Sequence, residues 1–181
     1  MQFNQSFKQL IKNVIMKNLL KTLFAVLFFF SVYEASAQMS AGGGIVYGTN
    51  INNIGISVNG KYEINEKWSA APAFTYFFKK DFVNWSALDL DGNYKLTEIE
   101  NIGGLYAIGG LNLTFYKIKI DADLGEFGDY SSSVTGSNAG VNLGLGLNVP
   151  VGDNFIIAPE IKYSISNGSY LRAGVKFMFG I

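Results

Sequence analysis

Hydrophobic and polar residues alternate with a period of two along most of the chain. One stretch shows this without a break, where Val141, Leu143, Leu145 and Leu147 alternate with glycine and asparagine. Such alternation is typical of a β-strand with one apolar and one polar face. The same pattern predicts eight strands, at residues 40–49, 54–64, 67–78, 85–97, 102–116, 139–149, 155–166 and 170–180. No helical period competes with it, so the sequence predicts an all-β protein.

The composition of the two faces indicates which of them meets lipid. The apolar face carries bulky and aromatic side chains, several near strand ends: Trp68, Phe78, Phe115, Phe155 and Phe179. The polar face is mostly Gly, Ala, Ser and Asn, with charges of nearly balanced sign at Lys61, Glu63, Asp89, Asp91, Lys95, Glu160, Lys162, Arg172 and Lys176. Small residues and balanced charges fit a narrow, filled lumen, where buried ions need partners. The pattern therefore predicts an eight-stranded antiparallel transmembrane β-barrel of up-and-down topology, with these charges forming a network in its lumen.

The predicted connections differ between the two ends of the barrel. Compact turns are expected after the even-numbered strands, at 65–67, 98–101 and 150–154, whereas residues 117–138 form a long, polar, serine-rich loop. Short turns at one end and longer loops at the other are typical of outer-membrane barrels. An even number of strands then places both termini on the periplasmic side.

The N-terminal segment has the features of a secretory signal peptide. Lys17 and Lys21 precede an apolar run from Leu23 to Val32, and Ala35-Ser36-Ala37 provides a small-residue cleavage site. We expect translation to start at Met16 and cleavage to follow Ala37. Residues 1–37 are thus an extension and signal peptide, and residues 38–181 form the barrel domain.

Composition excludes several classes of function. Formal net charge is zero without a basic block, so nucleic acid is not an expected partner. The chain has no cysteine and no histidine. That excludes disulfides, thiolate metal sites and histidine-dependent catalytic triads. We expect no catalytic residues, no cofactor and no metal site.

Two stretches resemble a known family. The closing strand contains Arg172, Gly174, Phe177 and Phe179, a spacing similar to the C-terminal signal read by the barrel-assembly machinery, although Gly180 and Ile181 follow it. The stretch 105–114 resembles the fifth strand of porin-like barrel-domain proteins. Over residues 39–181 the chain resembles the small eight-stranded outer-membrane proteins of the OmpA/OmpX-like superfamily. The resemblance implies a bacterial outer-membrane location, with membrane lipid, lipopolysaccharide and the assembly machinery as partners.

Two groups of acidic residues are candidates for metal or catalytic chemistry. Asp89, Asp91, Asn93 and Glu100 are spaced similarly to a calcium loop, but Tyr94 occupies the position where that loop needs glycine. Asp121, Asp123, Glu126 and Asp129 could hold a divalent cation near lipopolysaccharide, or form a solvated acidic loop. A hydrolase that used only Asp89, Asp91 or Glu160 would need substrate to enter a narrow lumen. Inward charges in a lumen network remain the simpler interpretation.

The sequence therefore predicts a non-enzymatic outer-membrane barrel that acts through its extracellular loops. Two alternatives stay open at this point. One is a narrow pore for small solutes, which would have to pass between the lumen charges of a barrel just wide enough for side chains to fill. The other is a soluble periplasmic barrel that binds a ligand against its Val/Leu/Phe face.

Overall fold

The computed structural model describes residues 39–80, 82–123 and 129–181. The strands are β1 (Met39–Gly48), β2 (Asn53–Glu63), β3 (Trp68–Lys80), β4 (Val83–Ile99), β5 (Gly103–Asp123), β6 (Asp129–Pro150), β7 (Phe155–Ile165) and β8 (Tyr170–Gly180). No helix in this described part is long and apolar enough to cross a membrane. The predicted signal peptide and cleavage site lie outside the described residues.

Each strand pairs antiparallel with the next one in sequence, and β8 pairs with β1 to close the barrel. The closing register runs from Ser40 opposite Gly180 to Gly48 opposite Arg172. The backbones come very close at this seam, since a Cβ added to Gly42 would lie 1.8 Å from the Phe177 carbonyl oxygen. The predicted eight-stranded, antiparallel, up-and-down barrel is confirmed.

The two ends of the barrel carry different elements. One end, called the terminal end, holds the start of β1, the end of β8 and the turns 64–67, 100–102 and 151–154. Asn101 and Gly152 adopt positive φ in two of these turns, 60° and 81°. The opposite end, called the hairpin end, carries the connection between β5 and β6.

The predicted long loop at 117–138 is wrong, because most of it is strand. β5 and β6 remain paired from Gly104 opposite Asn148 as far as Asp123 opposite Asp129. Lys117, Ile118 and Lys119 still alternate between polar and apolar, although here the polar side chains are the exposed ones. The threonine and valine of β6 suit an extended backbone. The tip residues 124–128 and the side chains of the four predicted acidic residues lie outside the described part.

The period-two faces point as the sequence predicted. Asn142 is completely buried inside the barrel, whereas the next residue, Leu143, is 56 % exposed on the outside. Aromatic residues mark both borders of the exposed apolar belt, with Trp68 and Phe179 at the terminal end and Phe78 and Phe115 at the hairpin end.

The dimensions of this belt suit a membrane. Trp68 and Phe78 lie ten residues apart on β3, which corresponds to about 34 Å along a strand. At a tilt of about 40° the belt is then about 26 Å high, close to the roughly 25 Å apolar band of outer-membrane barrels.

Candidate functional site

A cluster of four charged side chains lies at the centre of the lumen. Period-two alternation points Asp89 and Asp91 of β4 inward, and the register of β7 with β8 places Lys162 beside Arg172. The Arg172 guanidinium binds both carboxylate oxygens of Asp89, at 2.7 and 2.9 Å. Lys162 Nζ lies 2.7 Å from Asp91 Oδ2 and 3.2 Å from Asp89 Oδ2. Charged hydrogen bonds of this kind, out of contact with water, make the cluster rigid.

Neutral side chains complete the hydrogen bonding of this cluster. Asn142 donates to Asp89 Oδ1 at 2.9 Å and to Asp91 Oδ1 at 2.8 Å, and Asn112 donates to Asp89 Oδ1 at 2.8 Å. Ser164 Oγ donates to Asn142 Oδ1 at 2.7 Å and accepts from Arg172 at 2.9 Å. Asp89 thereby accepts five hydrogen bonds from four residues. A carboxylate held in this way has little capacity left for a substrate.

A second charged group lies on the terminal-end side of the cluster. Lys176 Nζ and the Tyr106 hydroxyl both donate to Glu160 Oε1, at 2.7 and 2.8 Å. The Tyr106 ring covers Gly146 on the neighbouring strand, where an added Cβ would lie 2.3 Å from the ring. Glycine is needed at that position because the ring occupies the space of a side chain.

The buried lumen charges cancel. Three carboxylates (Asp89, Asp91, Glu160) face three cations (Lys162, Arg172, Lys176). A cavity of about 20 Å³ lies beside them, lined in part by Asn59 and Arg172. That volume suits about one water molecule. The cavity beside the cluster is therefore too small for a solute larger than water, and side chains fill the space around it.

The structure brings six of the nine predicted lumen charges into these two groups and separates the other three. Lys61 pairs with Glu63 at 2.6 Å, partly exposed, near the terminal end. Lys95 does not join the network. It is exposed and pairs with Glu98, because it lies at the barrel mouth beside a register shift between Lys95 and Thr97.

Sequence reasoning missed the neutral members of the network. Asn112, Tyr106 and Ser164 lie at inward positions and hydrogen-bond to the ions. Thr114, also inward, donates to Asn112 Oδ1. Their place in the period-two pattern could have identified them as inward. Their partners could not be predicted, since these depend on the stagger between strands.

The residues of the candidate metal and assembly sites are also placed. Asp89 and Asp91 are held by Lys162 and Arg172, and no group of acidic side chains suited to a metal ion occurs among the described residues. In the closing strand Arg172 belongs to the lumen cluster, whereas Phe177 and Phe179 point outward beside Phe155, with ring centroids 6.4 and 4.7 Å from it.

Comparison with known proteins places this architecture in a class. No protein-family model matches the chain, and no curated protein matches it by sequence. Solved outer-membrane barrels do match its structure. A major outer membrane protein from Thermus thermophilus aligns with a TM-score of 0.61 at 10 % identity, covering 81 % of this chain and 100 % of that one.

Two further structures give the same result. The N-terminal β-barrel domain of Pseudomonas aeruginosa OprF aligns with a TM-score of 0.54 at 18 % identity, over 81 % of this chain and 100 % of that domain. Ail, the attachment invasion locus protein of Yersinia pestis, aligns with a TM-score of 0.52 at 16 % identity, over 80 % and 96 %. The chain has the fold of the eight-stranded outer-membrane β-barrels.

Proposed function

We propose that this chain is a non-enzymatic outer-membrane protein that displays the β5–β6 hairpin on a rigid barrel at the cell surface. The exposed apolar belt with its two aromatic borders supports a location in a membrane. The fold that the chain shares with outer-membrane proteins supports the outer membrane as this location. An apolar face that is exposed on the outside of the barrel argues against a soluble barrel lined by Val, Leu and Phe.

The hairpin is the observation that carries this proposal. Its pairing with β4 ends at Ile118 and its pairing with β7 ends at Val141, yet β5 and β6 continue to Asp123 and Asp129. At roughly 3.4 Å per residue, the hairpin projects about 17 Å past β4 and about 40 Å past β7. Such an arm would reach beyond the lipid surface to other molecules.

One edge of the hairpin is open. Residues 133–140 pair with β5 on one side and, within the described part of the chain, with no strand on the other. Sequence positions 131–140 contain no lysine and no proline, two residues that commonly protect strand edges. An open edge of this kind favours a role in recognition, since an extended segment of a partner can add to it as a further strand.

The contacts inside the lumen argue against catalysis by its carboxylates and against a pore through the barrel. Its carboxylates are already bound to cations and amides, and the cavity beside them suits about one water molecule. In planar bilayers we expect no steady single-channel current. Steady currents that Lys162→Ala changes would instead favour a narrow conduit.

Surface display can be tested with two epitope insertions. A tag placed between residues 125 and 126 should be labelled by antibody on intact cells. The same tag placed at Gly152 on the terminal end should be labelled only after the outer membrane is permeabilised. Equal labelling of both tags on intact cells, or of neither, would contradict the proposed orientation.

Surface interaction needs a second experiment. A variant in which a two-residue turn replaces residues 119–133 should keep the heat-modifiable gel mobility of a folded barrel. We expect cells that carry it to adhere less to epithelial monolayers than cells that carry the natural chain. Equal adhesion at equal surface amounts would count against the hairpin as the interacting element.

Export and assembly extend the proposal. The predicted signal peptide would deliver the chain to the periplasm, and the outward Phe177 and Phe179 are accessible for recognition of the closing strand by the assembly machinery. Arg172, which belongs to the same sequence pattern, lies inside the barrel and acts in its packing.

A further inference from the structure

A groove lies where the hairpin leaves the barrel wall at the hairpin end. It has a volume of about 490 Å³ and crosses β3, β4, β5 and β6. Tyr76, Ser86, Phe115 and Ser137 lie opposite one another across these strands and form its lower row. Lys117, Asn84 and Thr135 form the row next to it, farther along the hairpin. This volume is within the range of small-ligand sites.

The two rows differ in chemistry. Tyr76 and Phe115 are 41 % and 42 % exposed and belong to the aromatic border of the apolar belt. Lys117 is exposed, two residues beyond Phe115, which is about 7 Å along the strand and about 5 Å higher in the membrane direction. If the aromatic border marks the edge of the hydrocarbon, Lys117 lies at the level of lipid headgroups. The groove is therefore amphipathic along the membrane normal.

The polar row has unused bonding capacity. Lys117 has no ion-pair partner among the described residues. The Oδ1 atom of Asn84 is buried and accepts no hydrogen bond within the described part of the chain. A buried carbonyl without a donor is costly, so a ligand N–H or O–H at this position would be favoured.

The described charged side chains at this end include Lys79, Lys80 and Lys117. The side chains of Asp81, Asp121 and Asp123, which are close by along the chain, lie outside the described part. An exposed cation such as Lys117 next to an apolar surface is complementary to the headgroup of an anionic lipid.

We propose that this groove binds one phosphorylated glycolipid of the outer leaflet, of the lipid A type. Its phosphate would contact Lys117, its acyl chain would lie on Phe115 and Tyr76, and an amide N–H or sugar hydroxyl would donate to Asn84 Oδ1. Hydroxyl groups at Thr135 and Ser137 favour a sugar headgroup over that of a phospholipid. The proposal rests on the outer-membrane location proposed above, and it places lipid at the base of the hairpin, where it would brace the arm.

The test uses the full barrel, refolded in detergent micelles and titrated with diphosphoryl lipid A, with bound lipid counted by native mass spectrometry. We expect one lipid per barrel, and Lys117→Gln should weaken binding about tenfold, as loss of a charged hydrogen bond predicts. The matched control is Lys67→Gln, which removes the same charge from an exposed turn at the terminal end and should change affinity less than twofold. Phe115→Ala should weaken binding more than Phe179→Ala, its aromatic counterpart at the other end.

Three results would overturn the proposal. Equal weakening by Lys117→Gln and Lys67→Gln would indicate a general attraction of anionic lipid to the protein. Undiminished binding of lipid A from which the phosphates have been removed would exclude the contact with Lys117. Phosphatidylglycerol binding as tightly as lipid A, with the same dependence on Lys117, would make this a phospholipid site. None of these results changes the epitope labelling that tests surface display, so the two proposals can fail separately.

Discussion

Arg172→Met tests the idea that the lumen ions act as a balanced set. The substitution keeps much of the length and packing of the side chain and removes its charge. Four hydrogen bonds of Arg172 disappear, two to Asp89, one to Asn142 and one to Ser164. Asp89 keeps its bonds from Asn112, Asn142 and Lys162, but Lys162 must then balance Asp91 as well.

The magnitude follows from this count. The six buried lumen charges go from neutral to one uncompensated negative charge, in a place that water reaches poorly. Removal of one partner from a buried ion pair typically costs about 3–5 kcal/mol. We expect the free energy of unfolding to fall by that amount. Asp89→Asn should cost about the same, because it leaves Arg172 without its carboxylate.

The double variant Asp89→Asn/Arg172→Met provides the decisive comparison. It restores neutrality, so its loss should be no larger than that of either single variant, which corresponds to a coupling energy of about 3 kcal/mol. Lys95→Met is the control, since its pair with Glu98 is exposed and should contribute less than about 1 kcal/mol.

The assay is urea unfolding of the barrel in lipid vesicles, followed by heat-modifiable mobility and tryptophan fluorescence. Strictly additive losses in the double variant would refute the balanced-set reasoning. So would an Arg172→Met barrel as stable as the Lys95→Met control.

Two further predictions concern single positions. Gly146→Ala should displace the Tyr106 ring and destabilise the barrel by about 1–3 kcal/mol. Tyr106→Phe should destabilise it less, because this change removes only the hydrogen bond to Glu160. A Gly146→Ala barrel that unfolds at the same urea concentration as the natural chain would show that the ring is not confined. In the exposed turn at the terminal end, Asn101 has a positive φ, so Asn101→Val should lower the free energy of unfolding by about 1–2 kcal/mol. Asn101→Gly should change it by less than about 0.5 kcal/mol in the same urea assay. Equal urea midpoints for the two variants would contradict a strained backbone.

Several features of the molecule are local enough for the sequence to determine them. Whether a residue such as Leu143 or Asn142 points outward or inward depends only on the pleat of its own strand, and both are placed as predicted. The compact turns of the terminal end and the number of strands are also determined locally, because turn-forming residues separate one alternating segment from the next. Residues 117–138 are the exception. Their polar composition predicts a loop, whereas Lys117, Ile118 and Lys119 alternate as in a strand, and the structure extends β5 and β6 through this region.

The partners inside the lumen were decided by tertiary structure alone. The sequence indicates that Asp89, Lys162 and Arg172 point inward, but it does not contain the stagger that brings residues 83 positions apart to 2.7 Å. That stagger depends on how the eight strands close into a barrel, including the close approach of β1 to β8 at Gly42. It also depends on local shifts such as the one that accompanies the exposure of Lys95 at the barrel mouth. Period-two alternation thus determines the side of the sheet on which a residue lies, and closure of the barrel determines which other residue it contacts.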